Sequence, residues 1–168
     1  MRLIRSQATL MLQVNRLLYL ANSLLGKLWW LLPLATMAFI ASYQDIKYRK
    51  IPNGVALSVA LLGVFFVLSK GEYSHALSSM VILVIGAVLF QLRILAAGDS
   101  KLLAAFALMI APQFLPLTIW LIVTLGGVLA LTQWLVSQIG IHPAGMDRGV
   151  PYGVPICLGS LFGIAASL

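Results

Sequence analysis

LPLTIWLIVTLGGVLALTQWLVS, residues 115–137, runs for 23 residues without one charge. At about 1.5 Å per residue a helix of that length crosses a bilayer core of about 30 Å. Further apolar runs occupy residues 28–43, 55–68, 76–95, 102–112 and 150–168. Six helices therefore use up nearly the whole chain. The expected fold is an all-α polytopic membrane protein with six transmembrane helices. Several runs are short for the bilayer, so their ends must extend into the connections. Composition agrees: the 168 residues are 61% apolar and 9% charged, whereas a soluble domain is about half apolar and a quarter charged. A water-soluble fold is excluded, and little chain remains for an extramembrane domain.

Residues 1–27 differ from the rest. Arg2 and Arg5 ahead of apolar residues resemble the start of a secretory signal, but Asn15 and Arg16 interrupt the run and no small-residue cleavage pattern follows. Polar residues Arg2, Arg5, Thr9, Gln13, Arg16, Ser23 and Lys27 recur at helical spacings, and Leu3, Leu10, Leu17 and Leu24 mark another face. That pattern predicts an amphipathic helix lying in the membrane surface. A tilted extra span would bury Arg16 at about 2.5–3.5 kcal/mol, which ranks it second. The chain thus divides into a surface segment, 1–27, and a transmembrane domain, 28–168.

Eleven Lys and Arg face four carboxylates, a net charge of +7. The basic residues sit between apolar runs and form no continuous phosphate-tracking face, so the implied partner is anionic membrane lipid and not nucleic acid. With six spans, the connections after the first, third and fifth helices share a side and carry Lys47, Arg49, Lys50, Arg93, Lys101 and Arg148, against Lys70 alone on the other. The positive-inside rule places the first group in the cytoplasm. Arg2, Arg5, Arg16 and Lys27 run against this, since an even span count puts them opposite; charges on a surface helix are the weaker topology signal. Tyr43, Tyr48, Tyr73, Trp134 and Tyr152 fall near run ends, where aromatic residues anchor to the interface. The single Cys157 excludes an internal disulfide and reads as a packing residue.

The four carboxylates are Asp45, Glu72, Asp99 and Asp147. Asp45 leaves the first run and Asp99 opens the fourth, on one membrane face. Each has an ordinary explanation: Asp99 can cap a helix start, and Asp45 can pair with Lys47 or Arg49 in the headgroup layer. Together they mean more. Two aspartates brought together from different helices would repel as ions and share one proton. One could then serve as general base for water and the other as acid toward a peptide carbonyl. His75 and His142 lie on opposite sides of the expected membrane, and no helical His-Glu pairing for a metal is present.

The Asp45 segment followed by Ile51-Pro52-Asn53, then Gly98-Asp99-Ser100-Lys101-Leu102, then Pro151-Tyr152-Gly153-Val154-Pro155 resemble the type IV prepilin peptidases, in particular the short six-helix branch of Flp or tight-adherence pili. The resemblance covers residues from about 30 to 168. It implies that Asp45 and Asp99 are the catalytic pair of a Gly-x-Gly-Asp aspartyl protease. It further implies that the enzyme cuts the basic leader from prepilins at the cytoplasmic face of the bacterial inner membrane, with no metal or organic cofactor. Where the family motif begins with Gly, this chain has Ala96. Glycine permits positive φ or a close helix approach; alanine permits only the second, which raises the question of a slow or inactive member. The longer relatives carry a cytoplasmic domain with paired Cys-x-x-Cys motifs, and many methylate the new terminus; this chain has neither those cysteines nor space for that domain, and methyltransferase activity is not expected.

Supporting roles follow from the same motifs. Gly98 would free the backbone for a turn into the fourth helix. Lys101 would bias the pair's ionisation or simply snorkel to the interface. Pro52 and Asn53 read as a break and an N-cap for the second helix. Pro151, Tyr152 and Gly153 would line the cleft. Asp147 beside Arg148 reads as a solvated loop pair, Glu72 lies on the wrong side, and Gly126-Gly127, Ala130, Gly159, Gly163 and Ala166 mark helix contacts. Two rival functions remain. A proton-coupled transporter would place carboxylates near mid-span and show inverted repeats; here both lie at one face without a convincing repeat. A non-catalytic pilus-assembly protein that kept the scaffold is favoured only by Ala96.

Overall fold

The computed structural model describes residues 11, 13–22, 26, 29, 31–138 and 149–168. Among them every regular element is helical: α1 (Leu31–Tyr48), α2 (Asn53–Lys70), α3 (Tyr73–Gln91), α4 (Ala97–Ala107), a 3₁₀ turn (Pro112–Phe114), α5 (Leu115–Gln138) and α6 (Gly153–Ser167). Residues 13–22 are also helical and exposed. The rest of the expected surface helix apart from residues 11 and 26, and residues 139–148 with His142, Asp147 and Arg148, lie outside the described residues.

The six expected helices are present, but their spans are not equivalent. Three are long and apolar enough to cross a membrane: Asn53–Lys70, Tyr73–Gln91 and the continuous Pro112–Gln138. The eleven residues of α4 extend only ~16 Å, about half a hydrocarbon core. This helix is the centre of the bundle, packed on α2, α3 and α6, with Leu102, Phe106 and Ala107 fully buried. Its apolar sequence therefore reflects protein packing instead of a full crossing. The outer faces of α2 and α3 expose Leu57, Leu61, Phe65, Leu77, Val84 and Val88, surfaces suited to lipid.

A helix that ends inside an apolar bundle leaves carbonyls needing donors. The Ser79 hydroxyl of α3 donates to the Ala104 carbonyl at 2.6 Å, and the Met109 and Ile110 amides turn back onto Phe106 and Ala107. At the other end of α4, the Ser100 hydroxyl donates to Gly86 of α3 at 3.1 Å. These bonds fix α4 along α3 and so fix the height of Asp99. Packing of α1 against α6, and of α6 against α5, brings the α1 exit beside the α6 start.

Several boundaries differ from the hydrophobic reading. α1 continues past residue 43 to Tyr48, which puts Asp45 inside its last turn. α4 starts at Ala97, not near 102. Asn53 is the first residue of α2 and Pro52 its N-cap, without a side-chain capping bond.

Candidate active site

Asp45 and Asp99 lie at the same end of the bundle, 7% and 8% exposed, and line one cavity of about 330 Å³ with Arg49, Lys50, Ile51, Ala96, Gly98 and Val150. The two carboxylates are within electrostatic range of each other. Each comes from a helix end whose placement follows from local chemistry. Asp45 sits on the buried stripe Leu34, Ala38, Ala41, Asp45 of α1, spaced by three or four residues along one face. Asp99 sits in the first turn of α4, where a carboxylate is favoured by the helix dipole. The N-cap position belongs to Ala96, so of the two helix-start explanations for Asp99 the dipole is the one its position fits.

Asp45 is oriented from across the bundle. Its Oδ2 accepts the Gly153 amide at 2.7 Å, the first residue of α6, whose N–H has no partner within its own helix. Glycine is required at this approach: a Cβ on residue 153 would stand 2.8 Å from Oδ2 and 2.9 Å from the Asp45 Cβ. Gly98 also borders the cavity, but it lies inside α4 and makes no turn; a Cβ there would meet the Ile51 Cβ at 3.3 Å. Ala96 has φ −75° and ψ 148°, an extended conformation open to any residue. The position does not call for glycine's positive φ.

The other expected supporting residues have separate places. Pro151 is buried. Tyr152 is directed at α5, where its ring occupies the space that a side chain at Gly126 would need, with Cε1 2.6 Å from that missing Cβ; it is a packing wedge between α5 and α6. Lys101 lies outside the aspartate cavity. Its Nζ donates to Asn53 Oδ1 at 3.2 Å at the edge of a second, apolar groove of about 440 Å³ between α2, α3 and α4, lined by Gly54, Ala60, Leu83, Ala104 and Leu108 among others. Glu72 is at the far end, accepting from His75 Nε2 at 2.8 Å. Cys157 is buried, as its apolar surroundings suggest.

Arg49, Lys50, Ile51 and Val150 border the cavity but were legible in sequence only as topology charges and motif neighbours. Among the described residues no group of three His, Cys, Asp or Glu side chains gathers as a metal-ligand set. The walls supply paired carboxylates, two cationic side chains and a fixed backbone donor, which is a site able to hold water and move protons beside a peptide.

These features define a helical, lipid-suited protein with a two-carboxylate cavity at one end of its bundle. The family model for the type IV leader peptidase family matches residues 32–131, and the chain belongs to that family. The match carries both Asp45 and Asp99. No curated protein matches, and no solved structure does.

Proposed function

We propose that this chain is a membrane-embedded aspartyl endopeptidase that removes the basic leader from Flp-type prepilins at the cytoplasmic face of the bacterial inner membrane. The observation that carries this reading is the meeting of Asp45 and Asp99, buried, in one cavity. One aspartate takes a proton from water as it attacks the scissile carbonyl, and the other donates to the carbonyl oxygen. Collapse of the tetrahedral intermediate sends a proton to the leaving amine. The Gly153 amide keeps the Asp45 carboxylate in register throughout.

The substrate's two halves suit the two neighbouring depressions. Its apolar helix, lodged in the lipid, packs along the groove between α2, α3 and α4, whose small residues Gly54, Ala60 and Ala104 admit close helix approach. Its polar leader junction enters the aspartate cavity. Both carboxylates open at one end of the bundle, which favours this reading over a proton path through the membrane.

Co-expression with a Flp-type prepilin, scored by gel shift, tests the proposal. Wild type removes the leader, while Asp45→Asn and Asp99→Asn, each made at normal level, lose at least ~10²-fold in rate. Wild-type processing by either variant refutes the two-aspartate mechanism, and pilin left intact by the wild type points to the assembly role.

A further inference from the structure

Arg49 is the residue just past α1, and its amide donates to the Asp45 carbonyl at 2.9 Å. Its φ is +53°, the left-handed conformation at a helix end that glycine takes at no steric cost and a side chain does not. Arg93 after α3 shares this conformation, φ +59°, but is exposed. Arg49 is partly buried, borders the aspartate cavity, and has a buried guanidinium nitrogen, Nη1, with no hydrogen-bond partner among the described residues. It acts electrostatically on the Asp45 carboxylate but makes no hydrogen bond or close ion pair with it among those residues. A buried donor left unmatched is costly, and an uncommon backbone conformation at a candidate site points to use of the side chain.

Guanidinium has donors only, so what completes it must be an acceptor. A peptide strand laid across the cavity brings carbonyl oxygens whatever its side chains are, whereas the basic side chains of a leader cannot pair with Arg49. We propose that Arg49 is a substrate-binding residue whose guanidinium donates to a main-chain carbonyl oxygen of the peptide held beside Asp45 and Asp99. The inference rests on the peptidase reading and gives it a recognition element independent of substrate sequence. It also implies that the leader's basic side chains point out of the cavity, away from Arg49 and Lys50.

The test uses purified full-length enzyme in detergent with a fluorescently labelled Flp-type prepilin. Arg49→Gln raises KM about tenfold or more, the effect of losing a hydrogen bond from a charged donor, and, with each enzyme assayed at its own pH optimum because Arg49 acts on the Asp45 carboxylate, leaves kcat within about threefold. Arg49→Lys recovers part of the loss. Arg49→Gly relaxes the backbone, so it unfolds thermally no earlier than wild type yet shows the same KM defect. A wild-type KM in Arg49→Gln overturns the proposal, as does a KM defect in Arg49→Gln that Arg49→Gly repairs. Prepilin affinity is also compared between Asp99→Asn and the Asp99→Asn, Arg49→Gln double variant, where cleavage is not needed. Weaker binding by the double variant supports the role of Arg49 even if wild type cleaves nothing and the peptidase reading fails; equal binding, or none by either, overturns it.

Discussion

Replacing Gly153 with alanine tests the alignment of the carboxylate pair without removing either carboxylate. The new methyl would lie 2.8 Å from Oδ2, 3.0 Å from Cγ and 2.9 Å from Cβ of Asp45. Rotation of the carboxylate can clear the first of these contacts. It cannot clear the last, because the Cβ is fixed to α1. Restoring ordinary contact, from 2.9 Å to 3.4 Å, requires α1 and α6 to separate by ~0.5 Å. Overpacking of this kind costs about 1–3 kcal/mol of stability. The same shift stretches the 2.7 Å bond from the Gly153 amide. A 1 Å misplacement can cost about 10²-fold in rate, so half of that, with a weakened orienting bond, predicts a loss of about 10- to 100-fold. The assay is prepilin processing over time by purified enzyme, beside thermal unfolding in the same detergent. Gly98→Ala is the control: its methyl meets Ile51 at 3.3 Å, a contact a few tenths of an ångström can relieve, and its rate should stay within about threefold of wild type. Folded Gly153→Ala enzyme working at the wild-type rate would refute the claim that this contact sets the position of Asp45.

Two further substitutions probe the walls. Ala96→Gly should change processing by less than about threefold, because the backbone there is already ordinary for alanine; a gain of tenfold or more would show that the alanine restrains activity. Ala60→Trp fills the apolar groove between α2 and α4 and should slow processing of an intact prepilin about tenfold while sparing a short soluble peptide that spans the cleavage site. Equal losses on both substrates would show that the groove does not receive the apolar helix.

Apolarity located the helices well because lipid-facing and core-facing positions both select it, and for that reason it could not separate α4 from a true span. It also misplaced ends that depend on local polar bonding. The α1 run stops at residue 43, yet the helix continues: Lys47, one turn on, donates to the Tyr43 hydroxyl at 3.2 Å and lies over the rings of Tyr43 and Tyr48. At α4 the Ser100 hydroxyl bonds back to Ala96, holding the charged residues Asp99 and Lys101 within the helix. The aspartate pair was readable because carboxylates are so scarce that two on one side stand out. Arg49 was not, since one basic residue among several beside a membrane face looks like a topology signal, and its left-handed backbone leaves no mark in the sequence. The motif reads Tyr152 as a cleft-lining residue and its place at a run end reads it as an interface anchor, but the Gly126-Gly127 pair held a usable clue: Gly126 receives the tyrosine ring, while Gly127 faces open space.

Charge makes a purely electrostatic account of leader recognition untenable. Arg49 and Lys50 border the aspartate cavity, Lys47 and Arg93 stand nearby at the same end of the bundle, and the chain carries +7 overall. A basic leader approaching that end is repelled by the protein itself. Anionic lipid changes the balance, since a headgroup layer attracts each exposed Lys or Arg by about 1 kcal/mol and acts within a Debye length of about 10 Å. The leader and the enzyme can then both be held at the same surface by lipid, with neither binding the other through charge. On the proposed reading, specificity is left to the groove, which would read apolar shape, and to the Arg49 guanidinium, which would read main-chain carbonyls of the peptide. Such a division would let a site walled by cations act on the cationic segment proposed as its substrate, with the scissile bond beside Asp45 and Asp99 and the apolar helix in the groove edged by Lys101 and Asn53.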